Sequence, residues 1–417
     1  MSCIKPLPIA YGLVLWCGCC PPQNHENGLP EIAVEDVVLE DRLAAAQGIS
    51  DFGGRLLALL LEEEPDENLL ISPSCLYSAL AMLSAGARGE TLDQLAETLA
   101  FRLDPKEQHA ANGALEVGLR EAATSGPFTL ELANRLWGQS SFALDPACVD
   151  LMKRAYGAPL APLDFGADPE RARGEINSWV SDRTRGKIED LMPPGSINAL
   201  TRLVITSAVY FKGVWETPFP ESATRPGEFT RRDGSRVEAD FMRMREDLRF
   251  ADLGDGLALE LPYQGGQISM LLVLPDDLEK WASGLTAERL EQVAGEVETV
   301  KVDVVLPRFR FSSDFSLRPQ LIALGMEDAF DPARADFSGL SDSPDLYVQA
   351  VMHKTFIEVN EEGTEAAGAT GISLGLTAEM GRPVTFHADR PFLFLIRHVT
   401  TGALLFLGRV ADPAPGS

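Results

Sequence analysis

The sequence predicts an α+β protein with antiparallel or mixed sheets. Apolar residues recur at helical spacing in the first half of the chain, and strand-like apolar runs gather in the second half. The two kinds of segment do not alternate strictly, which disfavours a parallel α/β fold. The chain has 417 residues, enough to bury a sizeable core. We therefore expect one large domain, from about residue 48 to residue 412.

The first residues resemble a targeting segment. A lysine precedes a short apolar run at residues 7–16, which is too short to span a membrane comfortably. Gly18 before Cys19 resembles the lipobox of bacterial lipoproteins, although Trp16 departs from that pattern, and an ordinary secretory signal is the alternative. We predict a signal at residues 1–19 with lipidation at Cys19. The protein would then be exported, extracellular or periplasmic, and lipid-anchored to a bacterial membrane.

The segment after this signal is polar and acidic, with Pro, Asn and Gly, and residues 20–47 are predicted to form a flexible tether. Residues 413–417 form a short tail. Cys75 and Cys148 are the cysteines within the domain, both in apolar surroundings where an unpaired cysteine behaves as a small hydrophobe. A disulfide between them is the alternative.

Helix signals come first along the domain. Ser50 is predicted to cap one helix, Pro73 opens a second, residues 91–100 form a third, and Asp168 caps a fourth. Strand candidates follow, and they are residues 203–211, 268–274, 302–306, 347–351, 355–359, 392–396 and 404–410.

Charge limits the classes of partner. The chain carries 62 acidic and 36 basic residues, a formal net charge of −26. Such a balance argues against a nucleic acid or an anionic membrane surface as the partner. The sequence has no His-rich tract and no H-E-x-x-H motif, so it predicts no metal site.

The connection between the strand candidates 355–359 and 392–396 is unusually long, over thirty residues. Its first half alternates like a half-buried strand. One face of that strand would carry only small or apolar residues, namely Thr364, Ala366, Gly368, Thr370, Ile372 and Leu374. Because no charge lies on this face, the segment can exist either as an exposed loop or as a strand of a sheet.

The chain also resembles the serpin family over nearly its whole domain. The matching segments are NLLISPSCLYSALAMLSAGARGET from Asn68, LANRLWG from Leu132, INSWVSDRTRGKIEDLMPPG from Ile176, LVITSAVYFKGVWETPF from Leu203, LPRFRF from Leu306, VQAVMHKTFIEVNEEGTEAAGAT from Val348 and DRPFLFLIRHVTTGALLFLGRV from Asp389. The resemblance, which includes bacterial members, implies three β-sheets surrounded by about nine helices. It also implies an exposed reactive-centre loop at about residues 361–390.

The resemblance implies a mechanism as well. A serpin offers its loop as bait to a serine protease, or to a cysteine protease, and is not an enzyme. Cleavage gives an acyl-enzyme, and the loop then inserts into the largest sheet and carries the protease with it. An inserted strand from Gly363 to Thr377 would span roughly 45 Å at ~3.3 Å per residue. The expected protein is a single-use, monomeric inhibitor that needs no cofactor.

The hinge at the start of the loop is of the inhibitory type. By resemblance it comprises Glu361, Glu362, Gly363, Thr364, Glu365, Ala366, Ala367, Gly368, Ala369 and Thr370. Gly363 allows the backbone to swing, and the small residues that follow favour rapid insertion. The alternative is a non-inhibitory serpin that acts as a binding or carrier protein. Such members often have a bulky or charged residue at the position of Thr364, and none is present.

Two bonds are candidates for cleavage. Counting from the hinge places the reactive bond between Thr377 and Ala378, which we favour, and counting back from Pro391 places it between Met380 and Gly381. Both bonds suit a protease of elastase-like, subtilisin-like or chymotrypsin-like specificity. Neither suits a trypsin-like protease.

The resemblance also assigns a group of polar residues beneath the central strands, called the shutter in this family. Ser72, Pro73, Ser207 and His353 fall in this group. Cys75 stands where a shutter serine is usual, and Ser207 replaces an asparagine. The alternative for His353 is that it is merely a hydrogen-bonded core histidine.

The family calls the point where the loop enters the sheet the breach. Trp215 fits the family's tryptophan at this point, although a tryptophan is more often plain core. Glu361 is expected to pair with Arg308, and an exposed pair would contribute only ~0–1 kcal/mol.

A remote alternative is a serine hydrolase. Residues 371–375 match the G-x-S-x-G motif around Ser373, and Asp389 and His398 follow in the order of an α/β-hydrolase triad. That motif requires an apolar strand before the serine and a helix after it. Here a Gly/Ala/Thr run precedes Ser373 and a short Pro-limited segment follows, so the match is best explained by chance.

Overall fold

The computed structural model describes residues 36–157, 160–343, 345–364 and 383–414. The α-helices in this part of the chain are α1 (Leu39–Glu63), α2 (Pro73–Ser84), α3 (Gly89–Thr98), α4 (Pro105–Ser125), α5 (Pro146–Tyr156), α6 (Pro169–Arg183), α7 (Leu278–Ser283), α8 (Ala287–Glu296) and α9 (Arg318–Ala323). The strands are β1 (Leu69–Ile71), β2 (Phe128–Gln139), β3 (Ala161–Leu163), β4 (Leu203–Val214), β5 (Arg225–Thr230), β6 (Arg236–Asp252), β7 (Gly256–Pro262), β8 (Ile268–Pro275), β9 (Glu298–Pro307), β10 (Phe309–Ser316), β11 (Val348–Val359), β12 (Gly363–Thr364), β13 (Val384–His387), β14 (Phe392–His398) and β15 (Leu404–Val410).

Several helices begin as their sequences dictate. Proline occupies the first turn of α2, α4, α5 and α6, where the missing N–H costs nothing. The Asp168 side chain accepts a hydrogen bond from the Arg171 backbone N–H at 3.0 Å, and Asp145 accepts from the N–H groups of Ala147 and Cys148. These caps satisfy N–H groups that have no partner inside the helix.

One sheet has six strands in the order β10-β11-β12-β4-β2-β3. Strands β11 and β4 pair directly and in parallel over most of their length, from Val348 opposite Leu203 to Thr355 opposite Val209. At one end of the pair, the two-residue strand β12 lies between them and is antiparallel to both. We call the line between β11 and β4 the seam.

The remaining nine strands form a ladder in the order β1-β15-β14-β8-β7-β6-β9-β13, with β5 on the side of β6. The long strand β6 joins two sheets. Its earlier residues pair with β5 and β9, and residues 249–252 at its end pair with β7. With the six-stranded sheet this makes three sheets, and the described part of the chain contains nine α-helices, so the predicted fold is confirmed.

Helix α2 is buried along its whole length. Its first turn is tied to β15, because the hydroxyls of Ser72 and Ser74 donate to the carbonyls of Leu405 and Leu404, both at 2.6 Å. A separate apolar cluster lies under α6.

Two predictions about the start of the domain are wrong. Helix α1 begins at Leu39, so the last part of the predicted tether at residues 20–47 is helical. Ser50 is not its cap but an interior residue, whose hydroxyl donates to the Ala46 carbonyl at 3.0 Å. The helix extends because Ala45 and Ala46 are buried and prolong its apolar face.

The strand candidates 347–351 and 355–359 are one continuous strand, β11, because Met352 and His353 continue its burial pattern. Cys75 and Cys148 are both free and buried, not joined in a disulfide. Burial raises the pKa of each thiol to about 12, so both are inert at neutral pH.

Candidate functional site

The candidate site begins where β12 enters the six-stranded sheet. Gly363 pairs with Val214 and Thr364 with Gly213 on β4, while Thr364 also pairs with Val359 on β11. The first residues of the predicted loop therefore occupy strand positions between β11 and β4. The sheet is open by one strand at this end and closed along the rest of the seam.

A tight turn delivers β12 to this position. The Asn360 backbone N–H donates to the Gly363 carbonyl at 2.9 Å, and the Asn360 side-chain oxygen accepts from the Glu362 N–H at 3.0 Å. Asparagine suits such a turn because its side chain can bond to the backbone two residues on. The chain thus reverses directly after β11.

Only glycine fits at position 363. Its φ is 157°, and a Cβ atom placed there would lie 2.0 Å from the Gly213 carbonyl oxygen and 2.8 Å from the Val214 Cα. Because those atoms belong to the backbone of β4, no side-chain movement could relieve the clash. The sequence predicted Gly363 as a swivel, and the structure adds that it allows close approach to β4.

Thr364 is 2% exposed. Its hydroxyl lies 2.6 Å from the Tyr263 hydroxyl, and the Tyr263 ring stacks on Trp215 with centroids 4.5 Å apart. Burial raises the pKa of Tyr263, so the phenol stays protonated and can share this hydrogen bond at neutral pH. Thr364 is therefore buried and hydrogen-bonded at this end of the sheet.

Trp215 also stabilises the turn at residues 360–363 through two hydrogen bonds. Its backbone N–H donates to the Glu362 carbonyl at 2.8 Å, and its indole N–H donates to the Asn360 carbonyl at 3.0 Å. The indole is 1% exposed and its single donor is used. Trp215 is therefore both a core residue and a direct contact of the hinge.

Glu361 and Arg308 form the expected ion pair, with a buried carboxylate. The Arg308 Nε lies 2.9 and 2.8 Å from the two Glu361 carboxylate oxygens, and the Thr224 hydroxyl donates to the same carboxylate. The Glu361 side chain is only 5% exposed, against 43% for Arg308. Burial opposes ionisation, but the guanidinium and the hydroxyl outweigh it and hold the pKa of Glu361 below its usual value.

The shutter residues meet at His353, which is fully buried. Its Nε2 accepts from the Ser72 backbone N–H at 2.9 Å, so its Nδ1 carries the proton and donates to the Ser207 carbonyl at 3.0 Å. In this neutral form of the imidazole, both ring nitrogens are hydrogen-bonded. Burial lowers the pKa of His353 to about 4, and the Ser207 carbonyl opposes this only in part. The ring connects α2, β4 and β11.

We expect His353 to remain neutral throughout the physiological pH range. Because its folded-state pKa lies near 4 and an unfolded histidine titrates near ~6.5, it favours folding fully above pH ~6.5. This contribution declines as the pH falls from ~6.5 towards 4. Histidine NMR titration, with the resonance assigned by its loss in His353→Gln, should show no transition above pH 5. A midpoint near 6.5 would contradict the described hydrogen bonds.

The altered shutter positions leave polar atoms poorly satisfied. The Ser207 hydroxyl is buried and has no hydrogen-bond partner among the described residues. Asn134 lies opposite Ser207 on β2, and in the described part of the chain its buried amide has no partner other than the weak Cys75 thiol. Pro73 is the first residue of α2 and follows Ser72, the N-cap of that helix. Sequence reasoning did not predict a role for Asn134, although it lies within the LANRLWG motif.

Some predicted residues lie outside the described residues. These are Cys19, Glu365, Ala366, Ala367, Gly368, Ala369, Thr370, Thr377, Ala378, Met380 and Gly381. Sequence reasoning in turn missed Tyr263 and Thr224, whose contacts with the hinge depend on residues more than a hundred positions apart in the chain.

Ser373 lies outside the described residues, and the two other members of the hydrolase alternative, Asp389 and His398, do not lie together. Asp389 precedes β14 and lies 3.5 Å from His387, whereas His398 ends β14 and contacts the Thr401 hydroxyl at 2.8 Å. A strand of this length separates the two by roughly 20 Å. Within the described ranges, no group of three or more His, Cys, Asp or Glu side chains could hold a metal ion.

Comparisons with known proteins agree with this architecture. The model of the family described as serpin (serine protease inhibitor) matches residues 47–413. Leukocyte elastase inhibitor A of Rattus norvegicus is 38% identical over 385 residues, which cover 89% of this chain and all of that protein. Leukocyte elastase inhibitor of Homo sapiens is 37% identical, with 86% and 96% covered. The crystal structure of native protease nexin-1 with heparin has a TM-score of 0.80 and 29% identity, covering 89% of this chain and all of that one.

The prediction of an exported protein, lipid-anchored to a bacterial membrane, is wrong. The relatives are leukocyte elastase inhibitors of Rattus norvegicus, Homo sapiens and Mus musculus, which are not lipid-anchored. The prediction depended on a lysine, a short apolar run and Gly18 before Cys19, a pattern short enough to arise by chance. No helix among the described residues is long and apolar enough to cross a membrane.

The similarity to these relatives, by contrast, extends over most of the chain. The family model covers residues 47–413, and the relatives reach 38% identity. The chain belongs to the serpin family of serine protease inhibitors.

Proposed function

We propose that this serpin is a single-use inhibitor of a serine protease, which it traps by inserting its cleaved loop between β11 and β4. The observation that carries the proposal is β12, because the hinge already occupies the first two positions of such a strand. The rest of the loop would continue along the same seam after cleavage. No cofactor takes part, and the inhibitor acts as a monomer.

The pairing of β12 supports this by its register. Along β4, Gly363 is opposite Val214, so continuing the antiparallel pairing places residue 370 opposite Ser207. Along β11, Thr364 is opposite Val359, and the same continuation places residue 370 opposite His353. Ser207 and His353 are themselves paired across the seam. The two registers therefore agree, as they must if a single strand is to fill the gap.

The length of the seam also supports insertion. The same register pairs residue 374 with Leu203, the first residue of β4, so the small and apolar face from Thr364 to Leu374 matches the strand along its whole length. About a dozen new ladder hydrogen bonds at ~0.5–1.5 kcal/mol each would provide on the order of 10 kcal/mol. That free energy is available to distort a trapped protease. Residue 370 would then lie between Ser207 and His353 of the shutter.

We assign the reactive bond to Thr377 and Ala378, a few residues beyond the position opposite Leu203, with Met380 and Gly381 as the alternative. Small or moderate apolar residues precede both bonds, which suits a protease of elastase-like, subtilisin-like or chymotrypsin-like specificity. That the relatives are named leukocyte elastase inhibitors supports the elastase-like choice.

The proposal predicts a covalent complex. When it is mixed with an elastase, the full-length protein should give a band in SDS gels with the combined mass of both polypeptides. About one inhibitor molecule should be consumed per protease molecule inactivated. Trypsin serves as the control protease and should give no such band. Mass spectrometry of the released carboxy-terminal peptide identifies the bond. Loop cleavage without a complex would favour the non-inhibitory carrier instead. Ester hydrolysis lost in Ser373→Ala would favour the hydrolase.

A further inference from the structure

A cleft of about 300 Å³ lies where the end of α1, the start of α7 and the strands β5, β8 and β15 meet. It shares no lining residue with the hinge, the shutter or the breach. Four arginines line it, although the chain as a whole carries 62 acidic and only 36 basic residues. They are Arg231, Arg232, Arg390 and Arg409. We call this feature the arginine cleft.

Arg409 is the buried member of the group, with 3% of its surface exposed. Its Nε donates to the Glu67 carbonyl at 3.0 Å, and its Nη2 donates to the carbonyls of Glu64 and Glu67. In the described part of the chain this guanidinium has no ion pair with a carboxylate, and carbonyls carry only partial charges. Burial therefore lowers the pKa of Arg409 to about 10. An anion in the cleft would offset the desolvation of this charge.

Two further arginines of the cleft are only loosely paired. The Arg390 guanidinium lies 3.8 Å from the Asp276 carboxylate, whose side chain is 73% exposed. Arg232 pairs with Glu279 at 2.7 Å and with Asp66 at 3.6 Å, and all three side chains are more than half exposed. Exposed pairs of this kind contribute little to stability. Both guanidiniums can therefore turn towards an anion with little loss.

Arg231 has a structural role instead. Its Nε and Nη2 donate to one carboxylate oxygen of Asp412 at 2.8 and 2.6 Å, and the Asp412 side chain is only 17% exposed. The Asn68 side chain holds the backbone of Asp412 in turn. This pair fixes the end of the chain beside the cleft, so three guanidiniums remain for a ligand.

The chemistry of the cleft selects a small oxyanion. A guanidinium offers planar pairs of N–H donors that match the oxygens of phosphate or sulfate. The cleft is large enough for one such ion together with water. Asp276 and Glu279 also line it, and with the net charge of −26 they would repel a long polyanion. A single small ion avoids most of this repulsion, because charges beyond ~8 Å are screened at physiological salt.

We propose that the arginine cleft binds one small tetrahedral oxyanion, phosphate or sulfate, between Arg232, Arg390 and Arg409. The ion supplies the counter-charge that the buried Arg409 lacks. It also connects three parts of the fold, namely the turn after β5, the segment before β14 and the strand β15. Binding therefore stabilises the folded protein and does not depend on how the loop acts on a protease.

The test is isothermal titration calorimetry with inorganic phosphate and, separately, with sulfate, at an ionic strength held constant with sodium chloride. The wild type should show one saturable site with a dissociation constant on the order of 1 mM for at least one of the two ions. The double variant Arg232→Gln, Arg390→Gln should bind at least about tenfold more weakly. Arg236→Gln is the matched control, because Arg236 is an exposed arginine paired with Glu228 outside the cleft.

A third variant is expected to bind more tightly. Asp276→Asn removes a carboxylate that competes for Arg390, so it should tighten binding roughly three- to tenfold. Because this effect is a gain, a misfolded variant could not imitate it.

Melting temperatures give a second measurement. Phosphate and sulfate stabilise most proteins by exclusion from their surfaces, so only the difference between wild type and double variant counts. At ten times the dissociation constant, the wild type should gain about 2 °C more than the double variant. The absence of a saturable site for either ion, or equal affinities in the wild type and the double variant, would overturn the proposal. Either result would leave the inhibitor function untouched.

Discussion

Replacing Thr364 with arginine is expected to convert the protein from an inhibitor of elastase into a substrate. Thr364 is 2% exposed and hydrogen-bonded to Tyr263 between β11 and β4, so an arginine would have to bury its charge there or withdraw β12 from the sheet. Burying an unpaired charge costs several kcal/mol even after relaxation, on the order of 3–5. Insertion would then be too slow, and the protease would complete hydrolysis and leave.

The measurement is the number of inhibitor molecules consumed per protease inactivated. We expect it to rise at least about tenfold in Thr364→Arg, with cleaved inhibitor accumulating in place of the complex. Thr364→Ser keeps the hydroxyl and should behave as the wild type. Thr299→Arg adds the same charge on the exposed face of β9 and controls for charge alone. Full trapping by Thr364→Arg would refute the role of this residue.

Replacing Arg308 with methionine is expected to destabilise the uncleaved protein by about 2 kcal/mol and lower its melting temperature by several degrees. The change leaves the buried Glu361 carboxylate with only the Thr224 hydroxyl and backbone groups. The estimate stays below the ~3–5 kcal/mol of a fully buried pair because Arg308 is 43% exposed. Arg310→Met is the matched control, since Arg310 forms a long, exposed pair with Glu358 at 3.7 Å.

The pH dependence gives this prediction a second readout. In the wild type the folded-state pKa of Glu361 is lowered, so the pair contributes stability above the unfolded pKa of about 4.3 and loses it as the pH falls through the lower folded value. In Arg308→Met the carboxylate can be protonated instead. The difference in melting temperature between wild type and variant should therefore shrink from pH 7 to pH 4. A difference that is constant with pH would exclude Glu361 as its source.

Much of the candidate site could be predicted from neighbouring residues. The alternation after Thr364 identifies a segment able to join a sheet, because strand faces repeat every two residues. Gly363 identifies the hinge, and proline after Asp168 identifies a helix start. The helix start at Ser50 was wrong for an equally local reason. A serine inside a helix can bond to the carbonyl four residues back as well as cap a helix end.

Other properties were decided only by residues that are distant in the chain. The contacts of the buried Glu361 carboxylate come from Thr224 and Arg308. The hydrogen bond of the buried Thr364 hydroxyl comes from Tyr263. The poorly satisfied amide of Asn134 could not be predicted, because its neighbours come from α2 and β4. No pattern along the sequence specifies which strands will place their side chains around such groups.

The sequence alone therefore predicts a segment able to form either an exposed loop or a half-buried strand. Periodicity and residue size are local properties, and backbone geometry converts them directly into a strand or a helix. The tertiary structure decided that Gly363 and Thr364 lie between β11 and β4, and which residues of those two strands pair directly with each other. Those outcomes depend on hydrogen bonds and packing between strands and helices that only the complete fold brings together.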